Sequence, residues 1–284
     1  MELMIYSSPA DVQAQTLAWK RAGLTVGLVP TMGYLHEGHA SLIKRAAAEC
    51  DRVVVSVFVN PTQFGPNEDL ESYPRDFEHD KALVAECGAH LIFAPTPDDM
   101  YAPGAATWVT VEGLTKELCG RSRPIHFRGV ATVVNKLMNI AQPDRAYFGE
   151  KDAQQLAVIR RMVKDLNMPV EVVGCPIVRE ADGLAKSSRN TYLNAAERQA
   201  ALVLSRSLAE GKKLLEAGET DAQTVCARIT EVINAEPAAR IDYVQAVDAD
   251  SIEPVAAVNG TVLFAIAVYI GKTRLIDNFY WKAD

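Results

Sequence analysis

The alternation of short apolar runs with longer amphipathic segments over the first half of the chain restricts its fold most. The run at 52–59 contains five valines in eight residues and carries no polar face. Strands that are apolar on both sides are typical of parallel sheets covered by helices on both faces. The pattern predicts strands at 24–29, 52–59, 90–94, 145–148 and 170–173, and helices at 39–50, 76–87, 129–140 and 152–166. Right-handed crossovers then give an α/β fold with a Rossmann-like, doubly wound parallel sheet.

The pattern changes near residue 174. The stretch 179–194 is polar and loop-like, and it is followed by helical patterns at 195–217 and 221–235. Strand-like runs come last, at 241–247, 261–269 and 273–276. Helices followed by strands predict a smaller α+β domain with an antiparallel sheet. We therefore expect two domains, at residues 1–175 and 176–284.

The loop at 30–39 lies between the first predicted strand and the first predicted helix. Its glycines, Gly33 and Gly38, allow the backbone to approach a ligand closely, and the helix that follows presents unpaired N–H groups. Such a helix start binds anions. Because His36 and His39 stand there, we interpret the loop as a site for a nucleotide triphosphate, the alternative being a plain turn with exposed histidines. The spacing fits neither a zinc protease nor a P-loop.

The overall charge sharpens this interpretation. The formal net charge of −7 argues against a general nucleic-acid surface. An acidic protein that binds a polyanion must gather its cations locally. Residues of interest for this reason are His36, His39, Lys151, Lys186 and Arg189.

Composition excludes other classes of protein. No apolar run approaches the ~20 residues of a membrane helix, and the first four residues lack the basic start of a signal peptide, so we expect a cytoplasmic protein. The five cysteines form no Cys-x-x-Cys pair. They predict reduced, buried thiols and no zinc site.

Polar residues follow the other predicted strands. Lys151 could contact phosphate, and Asp152 could contact ribose hydroxyls or cap a helix. Gln63 and Gln155 could bind a small polar substrate, or be surface amides. Arg123 could hold a carboxylate through two hydrogen bonds, or lie in a surface turn.

The tetrapeptide Lys186-Ser187-Ser188-Arg189 places two cations and two hydroxyls on a loop that we expect to be mobile. Alone, such a sequence is usually a solvated loop. Combined with the two histidines after the first strand, it resembles the paired motifs of nucleotidyl-transferring Rossmann enzymes, among them the class I aminoacyl-tRNA synthetases.

Six motifs in one order carry a closer resemblance. They are Pro-Thr-Met-Gly-x-Leu-His-x-Gly-His at 30–39, Phe-Val-Asn-Pro-x-Gln-Phe at 58–64, Tyr-Pro-Arg at 73–75, Arg-Pro-x-His-Phe-x-Gly-Val at 123–130, Phe-Gly-Glu-Lys-Asp-x-Gln-Gln at 148–155, and Asp-Gly-Leu-Ala-x-Ser-Ser-Arg-Asn at 182–190. Together they resemble the pantoate–β-alanine ligase family. The resemblance implies an ATP-dependent ligase of pantothenate biosynthesis. Pantoate would attack the α-phosphorus of MgATP, and β-alanine would then attack the pantoyl adenylate, releasing AMP.

The resemblance also implies roles for residues. The implied catalytic residues are His39, as proton donor and phosphate ligand, His36 and Lys151. The implied ATP-binding residues are Met32, Gly33, Tyr34, Leu35, His36, Glu37, Gly38, His39, Gly149, Glu150, Lys151, Asp152, Val178, Lys186, Ser187, Ser188 and Arg189. Gln63 and Gln155 would bind pantoate, and Gln63 also β-alanine.

Further implications concern secondary contacts and partners. Secondary candidates near the substrates are Asn60, Tyr73, Arg123 and His126. Magnesium would enter on the ATP phosphates with few protein ligands, Asp80 being one candidate contact, and no metal site of the protein's own is expected. The family implies a homodimer, with no nucleic-acid or membrane partner. Two rivals are an adenylyltransferase that acts on a phosphate and a nucleotide-binding module without catalysis.

Overall fold

The computed structural model describes residues 3–66 and 68–283, so Met1 and Glu2, on which the expectation about a signal peptide partly rests, lie outside it. The chain forms two compact units. The first comprises the chain up to Val111 together with Arg123–Glu150 and Val158–Pro176. The second comprises Glu112–Ser122, Lys151–Ala157 and the chain from Ile177. Two short segments that precede residue 175 thus group with the second unit, and the division into domains at 1–175 and 176–284 stays a prediction.

A six-stranded, wholly parallel sheet organises the first unit and confirms the predicted α/β class. Its strands, in chain order, are β1 (Met4–Tyr6), β2 (Val26–Thr31), β3 (Arg52–Val57), β4 (Leu91–Phe93), β5 (Arg145–Gly149) and β6 (Glu171–Cys175), and their order across the sheet is β1-β4-β3-β2-β5-β6. The winding reverses between β2 and β5. Ligands of such sheets bind at this reversal, beyond the carboxyl ends of the strands.

Helices alternate with these strands. They are α1 (Pro9–Arg21), α2 (Glu37–Glu49), α3 (Phe77–Glu86), α4 (Pro97–Met100), α5 (Leu118–Ser122), α6 (His126–Ala141) and α7 (Ala153–Asp165). Short 3-10 turns lie at Pro61–Gln63 and Glu150–Asp152. Side chains of α2 and α3 pack with Val29, Val53 and Val55 in one apolar cluster. Because strand side chains alternate between faces, the fully buried Leu28 and Val54 belong to the other face.

Two elements at the start of the chain were missed from the sequence. Helix α1 has a regular start, with Ser8 accepting a hydrogen bond from the backbone N–H of Asp11 and Pro9 in its first turn. That Ser-Pro pair was an available signal. Strand β1 has only three residues, and its pairing with β4 decides its conformation. Helix α6 also begins three residues earlier than predicted, at His126.

The second unit contains the predicted antiparallel sheet, built from β7 (Ala239–Asp248), β8 (Thr261–Ile270) and β9 (Thr273–Lys282) in that order. Strand β9 is six residues longer than predicted. Helix α10 (Ala222–Asn234) is capped by Asp221, as its sequence indicates. One apolar cluster joins α9 (Val203–Glu216) and α10 to β8 through residues such as Leu208, Ile229 and Phe264.

The prediction of one helix over 195–217 was wrong. The structure has α8 (Ala195–Ala200) and α9, separated by a tight turn at 201–202. Within this turn the N–H groups of Leu202 and Leu204 bond to carbonyls three residues back, those of Gln199 and Ala201. Neither glycine nor proline marks the break, so local sequence carried no signal for it. Across the described residues, none of the helices combines the length and apolarity needed to span a membrane.

Candidate active site

The loop that leaves β2 lies at the reversal of the sheet. Its first turn is fixed to β3, because the hydroxyl of Thr31 donates to the carbonyl of Ser56 at 2.6 Å and accepts from the N–H of Gly33 at 3.2 Å. Gly33 has a φ of +83°, which favours glycine. A Cβ there would also meet Asp80 Oδ2 at 3.0 Å and Val57 Cγ1 at 3.1 Å. The glycine is therefore required by backbone conformation as well as by space.

The two histidines sit at the start of α2, as predicted. His36 is the N-cap, and its Nδ1 accepts from the N–H of Gly38 at 3.1 Å. The Nδ1 of His39 accepts from the N–H of His36 at 3.3 Å, and the ring centroids are 4.1 Å apart. With Nδ1 of each ring used as an acceptor, the neutral imidazoles carry their proton on Nε2. Two Nε2–H donors at a helix N-terminus form an arrangement suited to an anion.

Asp80, the candidate magnesium contact, bonds to the backbone of this loop. It is 1% exposed, and its carboxylate accepts from the N–H groups of Tyr34 and Leu35. Burial raises the pKa of this carboxyl, and the two backbone N–H groups oppose the rise. Within the described ranges, no group of three or more His, Cys, Asp or Glu side chains could hold a metal ion.

A buried amide pair follows β3. Asn60 Nδ2 donates to Gln63 Oε1 at 3.0 Å and to the carbonyl of Gly129 at 3.3 Å, while Asn60 Oδ1 accepts from the hydroxyl of Tyr101 at 2.8 Å. This fixes the amide of Gln63, so that its Nε2 lies 3.1 Å from Sδ of Met32 in the loop after β2. Gln63 thus lies beside the predicted nucleotide loop. The orienting role of Asn60 and the contact of Tyr101 were not found from the sequence.

The start of α6 packs closely against this pair. A Cβ on Gly129 would lie 2.5 Å from the carbonyl oxygen of Thr62, so only glycine permits the approach. His126 is buried, and its Nδ1 lies 3.0 Å from the carbonyl of Gln63. The motif at 123–130 therefore supports the 3-10 turn that carries Gln63.

Two secondary candidates have structural partners. Arg123 was predicted to hold a substrate carboxylate, but its guanidinium forms a two-bond ion pair with Glu68. Tyr73 is buried and packs edge-on against Phe64, with 6.0 Å between the ring centroids. Both residues shape the segment that follows Gln63, and the interpretation of Arg123 as a substrate ligand has no support here.

Gly149 ends β5, at the other side of the sheet reversal. Apart from its two chain neighbours, no described residue has an atom within 4 Å of a Cβ built on it. The chain continues through the 3-10 turn that contains Glu150. The next residues belong to the second unit. There Lys151 Nζ lies 3.2 Å from Asp152 Oδ2, and the carbonyl of Lys151 accepts from Asn278 Nδ2 on β9 at 2.8 Å.

The two glutamines that begin α7 differ in role. Gln154 is buried, and its Nε2 donates to the carbonyls of Leu114 and Glu117, both at 2.8 Å. Gln155 is half-buried, and among the described residues its side chain has no hydrogen-bond partner. From the sequence, Gln155 and not Gln154 is named as a pantoate ligand, and this role of Gln155 stays a prediction. Gln155 is the one whose amide is available to a ligand.

Ion pairs hold the first residues of the loop at 179–194 in place. Arg179 donates two hydrogen bonds, at 2.7 and 2.9 Å, to the buried carboxylate of Asp277 on β9. Arg198 on α8 donates to both Glu180 and Asp182, at 2.8 and 2.7 Å. Burial raises the pKa of Glu180, but the bonds from Arg198 and Asn190 outweigh this effect and leave the pKa below its usual value. The expectation of a mobile loop therefore finds no support at these residues.

The remaining predicted ATP residues are Val178, directly before this loop, and residues 186–189 within it. The N–H of Lys186 donates to the carbonyl of Val178 at 2.9 Å, which closes a small two-stranded turn. Ser187 caps the 3-10 turn Ser188–Tyr192 by accepting from the N–H of Arg189 at 3.3 Å. Ser188 is buried. The motif thus has a defined backbone, and the cations Lys186 and Arg189 flank its hydroxyls.

Comparisons with known proteins agree with this architecture. The family model described as pantoate-beta-alanine ligase matches residues 4–280. A pantothenate synthetase of Ruminiclostridium cellulolyticum is 60% identical over 94% of both chains, and one of Enterococcus faecalis is 59% identical over 99% of both.

Solved structures are similar as well. The crystal structure of pantothenate synthetase from Thermus thermophilus has a TM-score of 0.91 and 47% identity, covering 98% of this chain and 99% of the other. The pantoate-beta-alanine ligase of Francisella tularensis, complexed with beta-gamma ATP and beta-alanine, has a TM-score of 0.78 and 34% identity, covering 98% and 97%.

Proposed function

We propose, from the premise that this chain belongs to the pantoate–β-alanine ligase family, that it condenses pantoate with β-alanine at the expense of ATP. The first step forms pantoyl adenylate and pyrophosphate, and the second forms pantothenate and AMP. The observation that carries the proposal is the pair His36 and His39, held with Nδ1 toward the backbone at the N-terminus of α2.

The first step joins the pantoate carboxylate to the α-phosphorus of ATP, and the bond to the bridging oxygen of pyrophosphate breaks. Such a transfer requires positioning and stabilisation of negative charge more than covalent help from the protein. His39 donates from Nε2 to a phosphate oxygen as charge develops, and His36 assists beside it. The positive end of the α2 dipole contributes in the same direction.

The remaining ATP contacts follow from the family motifs. We assign phosphate and ribose to Gly149, Glu150, Lys151 and Asp152, adenine to the backbone of Val178, and the triphosphate to Lys186, Ser187, Ser188 and Arg189. The rest of the loop after β2, from Met32 to Leu35 with Glu37 and Gly38, supplies backbone contacts to ATP. Magnesium enters as part of MgATP, bound to the phosphate oxygens.

Gln63 and Gln155 hold the pantoate hydroxyls, and Gln63 also neighbours β-alanine. The hydrogen bond from Asn60 supports this assignment of Gln63, since it fixes the amide before substrate arrives. The half-buried amide of Gln155 supports its own assignment. In the second step the β-alanine amine attacks the acyl carbon, and AMP is the leaving group.

The proposal is tested by incubating the protein with magnesium, ATP and each combination of acid and amine. We expect AMP and pantothenate only with pantoate and β-alanine together, and pyrophosphate exchange into ATP with pantoate alone. Exchange that depends on a phosphorylated acceptor and not on pantoate would contradict the proposal. ATP binding without AMP release would indicate a binding module without catalysis.

Two broader properties are also proposed. The family implies a homodimer, which light scattering of the purified protein at micromolar concentration would detect. The composition suits a protein of the cytoplasm, and fractionation of cells that express it tests this location.

A further inference from the structure

Asp80 is a buried carboxylate in the first half of α3, outside every motif of the sequence. Among the described residues, no lysine or arginine forms a salt bridge with it. Its oxygens accept from two consecutive backbone N–H groups, Oδ2 from Tyr34 at 2.9 Å and Oδ1 from Leu35 at 2.6 Å. A buried charge requires such partners, so the carboxylate and these two N–H groups depend on each other.

These N–H groups belong to the part of the loop where the backbone adopts left-handed φ values. Gly33 has a φ of +83° and Tyr34 a φ of +51°, and the second value is uncommon for a residue with a side chain. A conformation of this kind persists only where the surroundings hold it. The carboxylate of Asp80 supplies that restraint, because it accepts from the N–H of Tyr34 itself and from that of the next residue.

Helix α3 gives Asp80 a fixed base. Asp76 caps the helix by accepting from the N–H of His79 at 3.1 Å. The ring of His79 adds a third link to the loop, with Nε2 3.1 Å from the carbonyl of Leu35. The side chain of Leu35 is itself buried in the apolar cluster under α2. Asp80 and His79, which lie on one turn of α3, therefore hold successive peptide groups of the loop.

His36 follows Leu35 directly and is the N-cap of α2, with His39 bonded to its N–H. A rotation of the peptide groups at 34 and 35 would turn His36 out of its capping position and release the Nδ1 of His39. The direction of both Nε2 donors thus depends on a residue more than forty positions away in sequence.

We propose that Asp80 is a positioning residue for ATP binding and adenylate formation, acting by holding the peptide groups of Tyr34 and Leu35 so that His36 and His39 meet the phosphates. This inference rests on the proposed function of the loop. In this proposal Asp80 acts through the loop and not by contact with either substrate. Its effect is confined to the loop after β2, so it acts on ATP and not on pantoate.

The test compares Asp80→Asn with Asp144→Asn. Asp144 is a matched control, because it also accepts a backbone N–H of this sheet, that of Val26 at 2.7 Å, together with the ammonium of Lys20. It lies at the opposite end of β2, away from the loop. Pantoate-dependent pyrophosphate release is measured for both variants, with thermal unfolding as the record of stability.

For Asp80→Asn we expect the KM for ATP to rise at least about fivefold and kcat to fall about tenfold. Effects of this size correspond to the loss of one charge-assisted hydrogen bond. The KM for pantoate should stay within about twofold, since the scaffold of Gln63 is untouched. Asp144→Asn should lower the unfolding temperature and leave all three constants near those of the parent.

Parental ATP constants in folded Asp80→Asn would overturn the inference, as would equal losses in the two variants. Where Asp80→Asn does not fold, Asp80→Glu decides by the same constants, because it keeps the charge but displaces the oxygens. Failure of the parent protein to release pyrophosphate would instead sink the proposed function, so the two failures are distinguishable.

Discussion

The guanidinium of Arg123 holds the carboxylate of Glu68 through two hydrogen bonds, from Nε to Oε1 at 2.7 Å and from Nη2 to Oε2 at 2.5 Å. Both side chains are at most a quarter exposed. Arg123 also lies 3.4 Å from the carbonyl of Gln63. The pair therefore fastens the segment after β3 to the start of α6, and with it the turn that carries Gln63.

This pair predicts a pH dependence of stability. Burial raises the pKa of Glu68, but the hydrogen bonds and charge of Arg123 outweigh this and leave the pKa below its usual 4.5. A carboxyl with a lowered pKa in the folded state contributes stability above its unfolded pKa, and this is lost as pH falls through the folded value. We expect Glu68→Gln to lower the free energy of unfolding by about 1–2 kcal/mol at neutral pH.

The difference in the free energy of unfolding between the parent protein and Glu68→Gln should shrink below about pH 4, where the parent carboxyl is also protonated. Urea unfolding at neutral pH and below about pH 4 measures this difference. Glu71→Gln, which changes an exposed side chain of the same segment, is the control. A difference that is independent of pH would refute the assignment of the effect to this ion pair.

A second prediction concerns His39. Because its Nε2 proton is assigned to charge that develops in the transition state, His39→Ala should lower kcat by ~10²–10³ while the fold survives. His39→Asn separates two roles, since its Oδ1 can still accept the N–H of His36 but no Nε2–H is present. Both variants should lose adenylate formation alike.

The rate of pyrophosphate release and circular dichroism provide the readouts. His90→Asn is the control, because His90 Nδ1 accepts from the N–H of Val53 at the start of β3, away from the loop. Recovery of the parental rate in His39→Asn would show that capping, and not proton donation, is the contribution of this residue.

The neighbours Gln154 and Gln155 should separate stability from binding. Gln155→Ala should raise the KM for pantoate at least about tenfold and the KM for ATP less, since one or two hydrogen bonds to the substrate are lost. Gln154→Ala should lower the unfolding temperature instead, because the carbonyls of Leu114 and Glu117 both lose the hydrogen bond from its buried amide. Steady-state kinetics and thermal unfolding of both variants test this contrast. Equal effects of Gln155→Ala on both KM values would count against the assignment.

A fourth prediction addresses the loop at 179–194. Lysine at position 198 offers one point charge where arginine reaches both Glu180 and Asp182. We expect Arg198→Lys to raise the KM for ATP several-fold, because the base of the loop loosens, with the KM for pantoate unchanged. Arg206→Lys, an exposed position on α9, is the control. Unaltered ATP kinetics in Arg198→Lys would mean that this ion pair does not position the motif.

The sequence by itself determined the alternation of strands and helices that builds the parallel sheet. It also determined the antiparallel sheet that follows and the site motifs. These features are local, because apolar periodicity, glycines and helix caps act within a few residues. The start of α2 at the histidines and the cap at Asp221 belong to the same class.

Only the tertiary structure decided which polar residues serve the loops and which are left for a ligand. Asp80 and Arg198 carry no local signal, since their partners lie on other elements or on separate turns. For the same reason Arg123 is paired with Glu68, and Gln154 with the carbonyls of Leu114 and Glu117. A buried polar group must find a partner, and which partner it finds is set by packing between segments distant in sequence.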